Sequence, residues 1–340
     1  MIIYSSWALG ILFVVCALLI WVFGIKLSKA IDEIVNHYGW GEAIGGIVFL
    51  AIITNLPEIA ITAVAAFNHD YDIAVSNILG GIAIQTAVLV LIDIYGVGRK
   101  APLTLKGHSK ILLFEGLTVI IILSLVIAAN KFPTYHYLRH TTAFEWIILF
   151  TWLVSIWGIK RLYQLNQIKK VSKHQTNSIV LSTVKVKKAI IVTILGAIIT
   201  LLAGYGLEVS GEVLSKRWGM DGIVFGATIL ALCTALPEIS TGIASAKIRD
   251  YQMAVSDIFG GNAFLPVLFL MAALIGGESI LPGLKVSDIY LTSVGILLTT
   301  IYMIGMLFHS KKQFLRMGID SIIVLILYLV SIVGLLYINN

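Results

Sequence analysis

The chain has 340 residues, of which 59% are hydrophobic and 12% are charged, and its mean hydropathy is +0.97. Soluble domains carry about 25% charged residues, so this composition excludes a soluble globular protein and indicates an integral membrane protein. The net charge of +6 does not indicate a nucleic-acid partner, because the basic residues fall in short loops between apolar runs.

Ten apolar segments can be drawn along the chain, and each is long enough to cross a hydrocarbon core of about 30 Å as a helix. They cover residues 5–27, 40–67, 71–96, 109–129, 142–160, 188–208, 219–246, 251–276, 286–308 and 317–338. The first run is too long for the core of a signal peptide and lacks a basic start, so we expect it to be retained as a helix.

The loop charges predict an orientation. With the N-terminus outside, 19 of the 24 Lys and Arg residues fall in inside loops and 5 in outside loops. This asymmetry follows the positive-inside rule and supports the count of ten helices. We therefore expect a cell-membrane protein with both termini outside and a basic cytoplasmic loop at residues 164–186. The expected partners are the lipid bilayer and small inorganic cations. The sequence does not fix the oligomeric state, and a monomer is compatible with it.

Two stretches of the chain, residues 46–85 and 226–265, read alike at a constant offset of 180 residues. Of the 40 aligned positions 18 are identical, where chance would give roughly three or four. The shared core is Thr-x-Leu-Pro-Glu, which ends at Glu58 in the first copy and at Glu238 in the second. The chain thus places a proline and a carboxylate inside a long apolar run twice.

Five crossings separate the two motif segments, so the motif helices run in opposite directions across the membrane. The predicted fold is an all-α integral membrane protein of ten helices, arranged as two inverted five-helix repeats. We expect an N-terminal half at residues 1–163, the basic loop at 164–186 and a C-terminal half at 187–340. Inverted halves with interrupted helices at matching positions are typical of secondary transporters, whose site lies at the midplane between the repeats.

The motif residues point to cation binding. Pro57 and Pro237 lack an N–H group, so carbonyls one turn earlier lose their helical partners. Thr54 and Thr234 lie four residues before the two glutamates, on the same helix face. Two facing copies would offer an all-oxygen cage, and hard oxygen ligands with two carboxylates suit Ca²⁺. Two unneutralised carboxylates at the midplane would cost at least several kcal/mol, so they should bind cations or protons.

Polar residues at the start of the third and eighth segments extend this set. The candidate metal ligands are Glu58, Glu238, Thr54, Thr234, Asn55, Ser76, Asn77, Ser256 and Asp257. For Asp257 an interfacial position is an equally good reading, and Gln85 and Asn262 suit hydrogen bonds between helices as well as they suit ligands.

Three further acidic residues lie near predicted membrane edges. Asp93, Glu115 and Asp320 are on the basic side, so we expect them to pair with Lys or Arg.

The two repeats resemble the alpha repeats of the cation/calcium exchanger superfamily, and most closely its prokaryotic sodium/calcium exchangers. The resemblance spans nearly the whole chain and implies the ten-helix inverted topology. By position, Glu58 and Glu238 match the two central calcium-binding glutamates of that family. Thr54 and Thr234 match the neighbouring threonines that add ligands to the same ions.

The chain departs from the family pattern in its third and eighth segments. The sodium-site serines of the family are replaced by Gly81 and Gly261, the usual Asn by Gln85, and the usual acidic residue by Leu265. The central divalent site is kept, whereas fewer oxygen ligands remain for flanking Na⁺ ions. This loss of Na⁺ ligands leaves three possibilities: coupling to protons, coupling to fewer Na⁺ ions, or a different transported ion.

We expect a secondary antiporter that exchanges Ca²⁺ against Na⁺ or H⁺ by alternating access, with helices 1 and 6 moving against a rigid core as the resemblance implies. Alternatives are an antiporter of the same fold for another ion pair, Na⁺/H⁺ or Mg²⁺, and a cation channel, which saturable counter-flow would exclude. The sequence contains no metalloprotease, aspartyl-protease or nucleophile–base motif, so we do not expect an enzyme. We also expect no cofactor.

Asp257 stands where the family usually has Asn. We expect its carboxylate to compensate for the acidic side chain that is missing at Leu265. Asp257→Asn should therefore lower ion affinity or change coupling to the counter-ion. Binding titrations and gradient-driven flux would measure the two effects. Unchanged affinity and unchanged coupling would contradict the hypothesis.

Overall fold

The computed structural model describes residues 5–38, 50–98, 101–132, 141–170 and 183–338. Nearly all of these residues are helical, as predicted. In the first half the described helices are α1 (Ser6–Tyr38), α2 (Leu50–Thr54), α3 (Leu56–Phe67), α4 (Tyr71–Ile92), α5 (Leu103–Lys106), α6 (Lys110–Ala129) and α7 (Ala143–Lys170). A π-helical stretch, Asp93–Val97, continues α4.

The second half repeats this order. Its helices are α8 (Thr183–Arg217), α9 (Gly222–Phe225), α10 (Ala231–Thr234), α11 (Leu236–Lys247), α12 (Tyr251–Phe264), α13 (Leu268–Gly276), α14 (Val286–Phe308) and α15 (Ile319–Ile338). A π-helical stretch, Gly226–Leu230, joins α9 to α10, and a 3₁₀ turn, Leu265–Val267, joins α12 to α13. A short antiparallel hairpin of β1 (Gln313–Phe314) and β2 (Met317–Gly318) precedes α15.

Eight of the described helices are long and apolar enough to cross a membrane. A ninth crossing results if Gly222–Thr234 and Leu236–Lys247, which meet at a bend of 44°, count as one broken span. The matching first-repeat segment contains the apolar helix α3, of 12 residues, and its predicted start at residues 40–49 lies outside the described residues. The two-repeat helical fold is thus confirmed, and ten crossings are consistent with it.

Several helices run past the apolar windows that predicted them. α1 continues to Tyr38 and α8 reaches Arg217, because Lys and Glu side chains continue a helix readily outside the hydrocarbon core. Of the predicted basic loop, residues 164–170 continue α7 and α8 begins at Thr183, while residues 171–182 lie outside the described part of the chain.

The repeat reappears in backbone geometry beyond the Pro-Glu motif. His69 and Arg249, 180 residues apart, both have positive φ, at 58° and 69°. Each is followed by an aspartate that caps the next helix: Asp70 accepts from the N–H of Ile73, and Asp250 from that of Met253. The two caps have φ and ψ of −89°, 71° and −88°, 71°, so the same sharp turn is built twice.

Packing between the halves is reciprocal, as two pseudo-equivalent units require. The helix α6 packs on α12 while α14 packs on α4, and α8 packs on α3 while α1 packs on α11. The most extensive helix contact joins α1 to α8. The motif helices and α4 and α12 therefore form the centre of the molecule, and α1 and α8 form a separate pair against it.

Glycines bring the α1–α8 pair directly onto the two motif prolines. A Cβ at Gly24 of α1 would lie 2.5 Å from Cγ of Pro237. A Cβ at Gly204 of α8, 180 residues later, would lie 3.0 Å from the carbonyl oxygen of Pro57. Each of these helices thus touches the helix break of the other half, and only glycine leaves room for that approach.

The expected pairing of Asp93, Glu115 and Asp320 with Lys or Arg is wrong for the residues that the structure describes. Asp93 is fully buried and accepts from the backbone N–H groups of Leu103, at 2.8 Å, and Gly318, at 2.7 Å. Asp320 is also buried, and a serine hydroxyl binds Glu115, as described below. Backbone N–H groups at helix ends can serve as partners for a buried carboxylate in place of Lys or Arg. The spacing of residues in the sequence does not reveal which backbone groups do so.

The two aspartate caps predict equal contributions to stability. Asp70→Ala and Asp250→Ala should each lower the free energy of unfolding by about 0.5–2 kcal/mol, because each removes an acceptor for the first turn of a central helix. Thermal unfolding in detergent would measure the change. Asp70→Asn and Asp250→Asn are matched controls, since Asn caps equally well; an equal loss in the Asn variants would contradict the capping explanation.

Candidate ion-binding site

Both motif helices are interrupted at the predicted place. The first breaks at Asn55 between α2 and α3, and the second at Ala235 between α10 and α11. Pro57 and Pro237 stand in the first turn of the resumed helices, where a missing N–H is tolerated. Each break thus places the following glutamate in the first turn of a helix, and the predicted interruption is confirmed.

Side chains stabilise the backbone just before each break. The amide Nδ2 of Asn55 donates to the carbonyl of Ala51 at 2.6 Å. In the second repeat the Thr234 hydroxyl donates to the carbonyl of Ala231 at 3.1 Å. Equivalent carbonyls therefore receive different donors, and the two repeats keep the same break with different residues. The amide oxygen of the same side chain, Oδ1 of Asn55, is buried and has no hydrogen-bond partner within the described ranges.

The two glutamates lie at the centre of the protein. Glu58 is fully buried and Glu238 is 2% exposed. Gln85 Nε2 donates to Glu58 Oε1 at 3.3 Å, and the Thr234 side chain of the opposite repeat also contacts this carboxylate. Glu58 Oε2 and both carboxylate oxygens of Glu238 are buried without a hydrogen-bond partner among the described residues. Buried carboxylate oxygens need a partner, so these atoms are available to a cation.

A third carboxylate belongs to the same neighbourhood. Asp257 of α12 is buried and accepts from the Thr241 hydroxyl at 3.1 Å. Glu58 and Asp257 both lie close enough to Glu238 for their charges to repel it. Glu238 thus has two acidic neighbours on other helices, and repulsion from their charges favours occupancy by a cation.

The remaining predicted ligands are all buried but turn in different directions. Thr54 and Asn77 are buried, and neither the amide oxygen nor the amide nitrogen of the Asn77 side chain has a hydrogen-bond partner in the described residues. The Ser76 hydroxyl donates to the Ile73 carbonyl at 3.3 Å. The Ser256 hydroxyl instead donates to Glu115. The two serines therefore bind groups of their own surroundings, while the glutamates, Thr234 and Asp257 are held together.

The positions that depart from the family pattern contact one another. A Cβ at Gly81 would lie 3.4 Å from Cδ1 of Leu265. The equivalent contact of the other repeat is polar, because a Cβ at Gly261 would lie 3.5 Å from Gln85 Oε1 and 3.0 Å from Asn55 Nδ2. One flank of the glutamate pair is thus apolar, and the other keeps two amides.

Sequence reasoning did not distinguish Gln85 from Asn262. Gln85 binds the central glutamate, whereas Asn262 Nδ2 donates to the Thr86 hydroxyl at 2.9 Å and to the Ile82 carbonyl at 3.5 Å, joining two helices. Both residues are amides in apolar runs, so only the structure separates the two roles.

Carboxylates alone do not complete a metal centre. Across the described ranges no group of three or more His, Cys, Asp or Glu side chains is arranged to hold a metal ion. A cation bound between Glu58 and Glu238 would therefore take further ligands from neutral oxygens such as those of Thr234, Asn55 and Gln85. Neutral oxygens beside two carboxylates are a donor set that Ca²⁺ accepts.

These features define a class of protein. Two pseudo-equivalent halves, each with a helix broken at a proline and a buried carboxylate beside the break, are the arrangement of a secondary transporter. The chain belongs to the sodium/calcium exchanger protein family, whose model matches residues 8–159 and 188–337.

Individual relatives agree with this assignment. The inner membrane protein YrbG of Escherichia coli is 26% identical over 255 residues, covering 74% of this chain and 76% of that protein. The fold is similar to that of the sodium-calcium exchanger NCX_Mj, with a TM-score of 0.64 at 19% identity over 97% of this chain and 99% of that one. It is also similar to native YfkE, with a TM-score of 0.65 at 13% identity over 96% and 92% of the two chains.

The two buried amides provide a test of which side chains serve the ion. Gln85→Leu should lower the Ca²⁺ affinity by about tenfold, the lower end of the effect of losing a supporting partner of a metal ligand. Asn262→Leu, the matched control, should lower the thermal midpoint and leave the affinity of the folded protein unchanged. Calorimetric titration in detergent would measure both, and a larger affinity loss in the Asn262 variant would contradict the assignment.

Proposed function

We propose that this protein is a secondary antiporter that exchanges Ca²⁺ against Na⁺ or H⁺ at a site between Glu58 and Glu238. The observation that carries the proposal is the buried pair of glutamates at two equivalent helix breaks, with three carboxylate oxygens that have no hydrogen-bond partner in the described part of the chain. Membership in an exchanger family supports it.

Exchange follows from competition for the same carboxylates. Left ionised and unoccupied, buried glutamates carry a penalty of at least several kcal/mol, so the protein is stable when a cation neutralises them. A divalent ion balances the pair, and two monovalent ions or protons balance it equally. With either species bound, the site can switch from facing one side of the membrane to facing the other. The bare site, with two uncompensated charges, does not switch.

We propose that α1 and α8 move together against the core to expose the site alternately. These helices contact each other most extensively, and each lies on a proline of the opposite half through Gly24 or Gly204. Glycine surfaces are flat, so one helix can slide past another without side chains interlocking.

A different counter-ion is a second candidate, and one contact favours it. Gly81 and Leu265 pack against each other where the family usually has serine and an acidic side chain. An apolar flank offers no ligand to Na⁺, so exchange with H⁺, or with fewer Na⁺ ions, fits this chain better than the full sodium complement. The alternative is an antiporter of the same fold for another ion pair, Na⁺/H⁺ or Mg²⁺, and the ligand set of α4 and α12 decides between these.

The proposed membrane arrangement keeps the predicted orientation. Both termini face outside, the two halves comprise residues 1–163 and 187–340, and the basic loop 164–186 is cytoplasmic. The excess of Lys and Arg in the inside loops supports it. Cysteine accessibility at loop positions in intact cells would test the orientation independently of transport.

The central test is Ca²⁺ uptake into proteoliposomes under an imposed Na⁺ gradient or an imposed pH gradient. The wild type should take up Ca²⁺ with one of the gradients, which identifies the counter-ion. Glu58→Gln and Glu238→Gln should each lower the rate by about 100-fold or more, because each removes one of two charged ligands. Glu33→Gln, at an exposed carboxylate of α1, is the matched control and should transport normally.

Two results would contradict the proposal in different ways. If both glutamine variants transported as fast as the wild type, the site would be elsewhere. If the wild type moved no cation with either gradient, exchange itself would be excluded.

The movement of α1 predicts a separate effect. Gly24→Ala should slow Ca²⁺ flux and leave Ca²⁺ binding in detergent unchanged, because the added methyl group meets the ring of Pro237 and not the glutamates. Gly10→Ala on the same helix is the control, since a Cβ there would have no neighbour within 4 Å among the described residues. Equal flux in the two variants would argue against movement at this contact.

A further inference from the structure

A fourth buried carboxylate lies outside the glutamate pair. Glu115 stands in the second turn of α6 and is 1% exposed. Its Oε1 accepts from the Ser256 hydroxyl at 2.7 Å, and its Oε2 is buried without a hydrogen-bond partner among the residues that the structure describes. The ion pairs among the described residues are Lys216–Glu212 and Lys285–Asp72, so neither neutralises this carboxylate.

The side chain of Glu115 lines a small cavity between α2, α6, α7 and α12. The cavity has a volume of about 20 Å³, which is room for one water-sized particle. Thr118 and Ser155 are the other hydroxyl residues of its lining, which is otherwise apolar, with Trp152 as its largest side chain. A hydrated ion is too large for this space, whereas a dehydrated small cation fits.

The hydroxyl groups around the cavity already donate hydrogen bonds to other acceptors. The Thr118 hydroxyl donates to the Phe114 carbonyl at 2.9 Å, and that of Ser155 to the Trp152 carbonyl at 2.7 Å. The Ser256 hydroxyl donates to Glu115 itself. Each hydroxyl oxygen therefore retains only lone pairs, and lone pairs are what a cation requires. One carboxylate balances one positive charge, and the other oxygens of the lining are neutral, so the cavity favours a small monovalent cation.

This arrangement belongs to one half of the molecule. Ser76 occupies the place of Ser256 in the first repeat, and its hydroxyl donates to the Ile73 carbonyl of its own helix. The repeated fold therefore does not require the contact between a serine and a carboxylate. A buried ionisable group inside a membrane that the fold does not require indicates a functional site.

We propose that Glu115 is the centre of a second cation site, one that binds a single Na⁺ with ligands from Glu115 and from the hydroxyl oxygens of Thr118 and Ser155, and that is separate from the Glu58–Glu238 pair. Ser256 links the two sites, because it binds Glu115 and directly precedes Asp257, whose charge acts on Glu238. Only this link rests on the proposed exchange; the Na⁺ site stands without it.

The test is specific stabilisation of the purified protein by Na⁺. Thermal midpoints in detergent at fixed pH would be titrated with NaCl and, at equal ionic strength, with choline chloride. The wild type should show a saturable rise with Na⁺ alone, since a ligand that binds the folded state stabilises it. A double variant, Glu58→Gln with Glu238→Gln, should retain the rise.

Variants at the new site should remove this rise. In the background of the double variant Glu58→Gln with Glu238→Gln, where the central pair cannot add a Na⁺ response, Glu115→Gln should abolish the rise, Ser256→Ala should weaken it, and Ser76→Ala, the matched serine of the other repeat, should leave it unchanged. Ca²⁺ titration of Glu115→Gln checks that the variant is folded with its central site intact. If Glu115→Gln fails to fold, Glu115→Asp should bind Na⁺ about tenfold or more weaker, because the shorter side chain withdraws the charge from the cavity.

Two outcomes would overturn the proposal. An equal rise in the wild type and in a folded Glu115→Gln variant would place Na⁺ elsewhere. No rise beyond that in choline would mean that Glu115 holds only a proton. A rise that depends on Glu115 in a protein without Ca²⁺ flux would keep the Na⁺ site and exclude the exchange function.

Discussion

Burial of carboxylates in an apolar interior is the constraint on which the other features of this protein depend. Glu58 and Glu238 are enclosed by helices in a part of the molecule with no lysine or arginine partner among the described residues. A charge in such surroundings requires a counter-charge or a proton. The broken helices, the amides of Gln85 and Asn55 and the hydroxyl of Thr234 provide oxygen atoms around that charge but leave it uncompensated. In the proposed function a mobile cation supplies the compensation, and that requirement is the physical origin of the proposed exchange.

The doubled architecture turns this constraint into a symmetric device. Each half contributes one helix break, and each proline is covered by a glycine surface of the other half. The symmetry is broken in the flanks, where Leu265 packs on Gly81 and Gln85 lies against Gly261. A symmetric centre suits a divalent ion between two equal carboxylates, whereas unequal flanks suit a counter-ion that binds on one side. Glu115 occurs in one half and not at the equivalent position of the other. The difference between the halves therefore extends to the helices around the core.

The fold was largely predictable, because hydropathy and loop charge are averages over many residues. The two repeats, the helix breaks near Pro57 and Pro237 and the burial of both glutamates all follow from residue types and their spacing. The failures concern single contacts. Asp93 and Glu115 were expected to meet basic residues, and instead they bind backbone N–H groups and a serine hydroxyl. Lys and Arg counts describe loops, and they carry no information on which donor reaches a given carboxylate within the helix bundle.

The sequence by itself determined that this is a membrane protein built twice from one unit, with a proline and a glutamate in each copy, because periodic patterns and repeats are properties of the chain alone. Tertiary structure decided which amide serves the central site. Gln85 and Asn262 are equivalent as residues in apolar helices, yet one binds Glu58 and the other joins α12 to α4. It also turned Ser256 away from the glutamate pair and toward Glu115. Such choices depend on which helices face each other and at what depth, and the distances that set them join residues far apart in the chain.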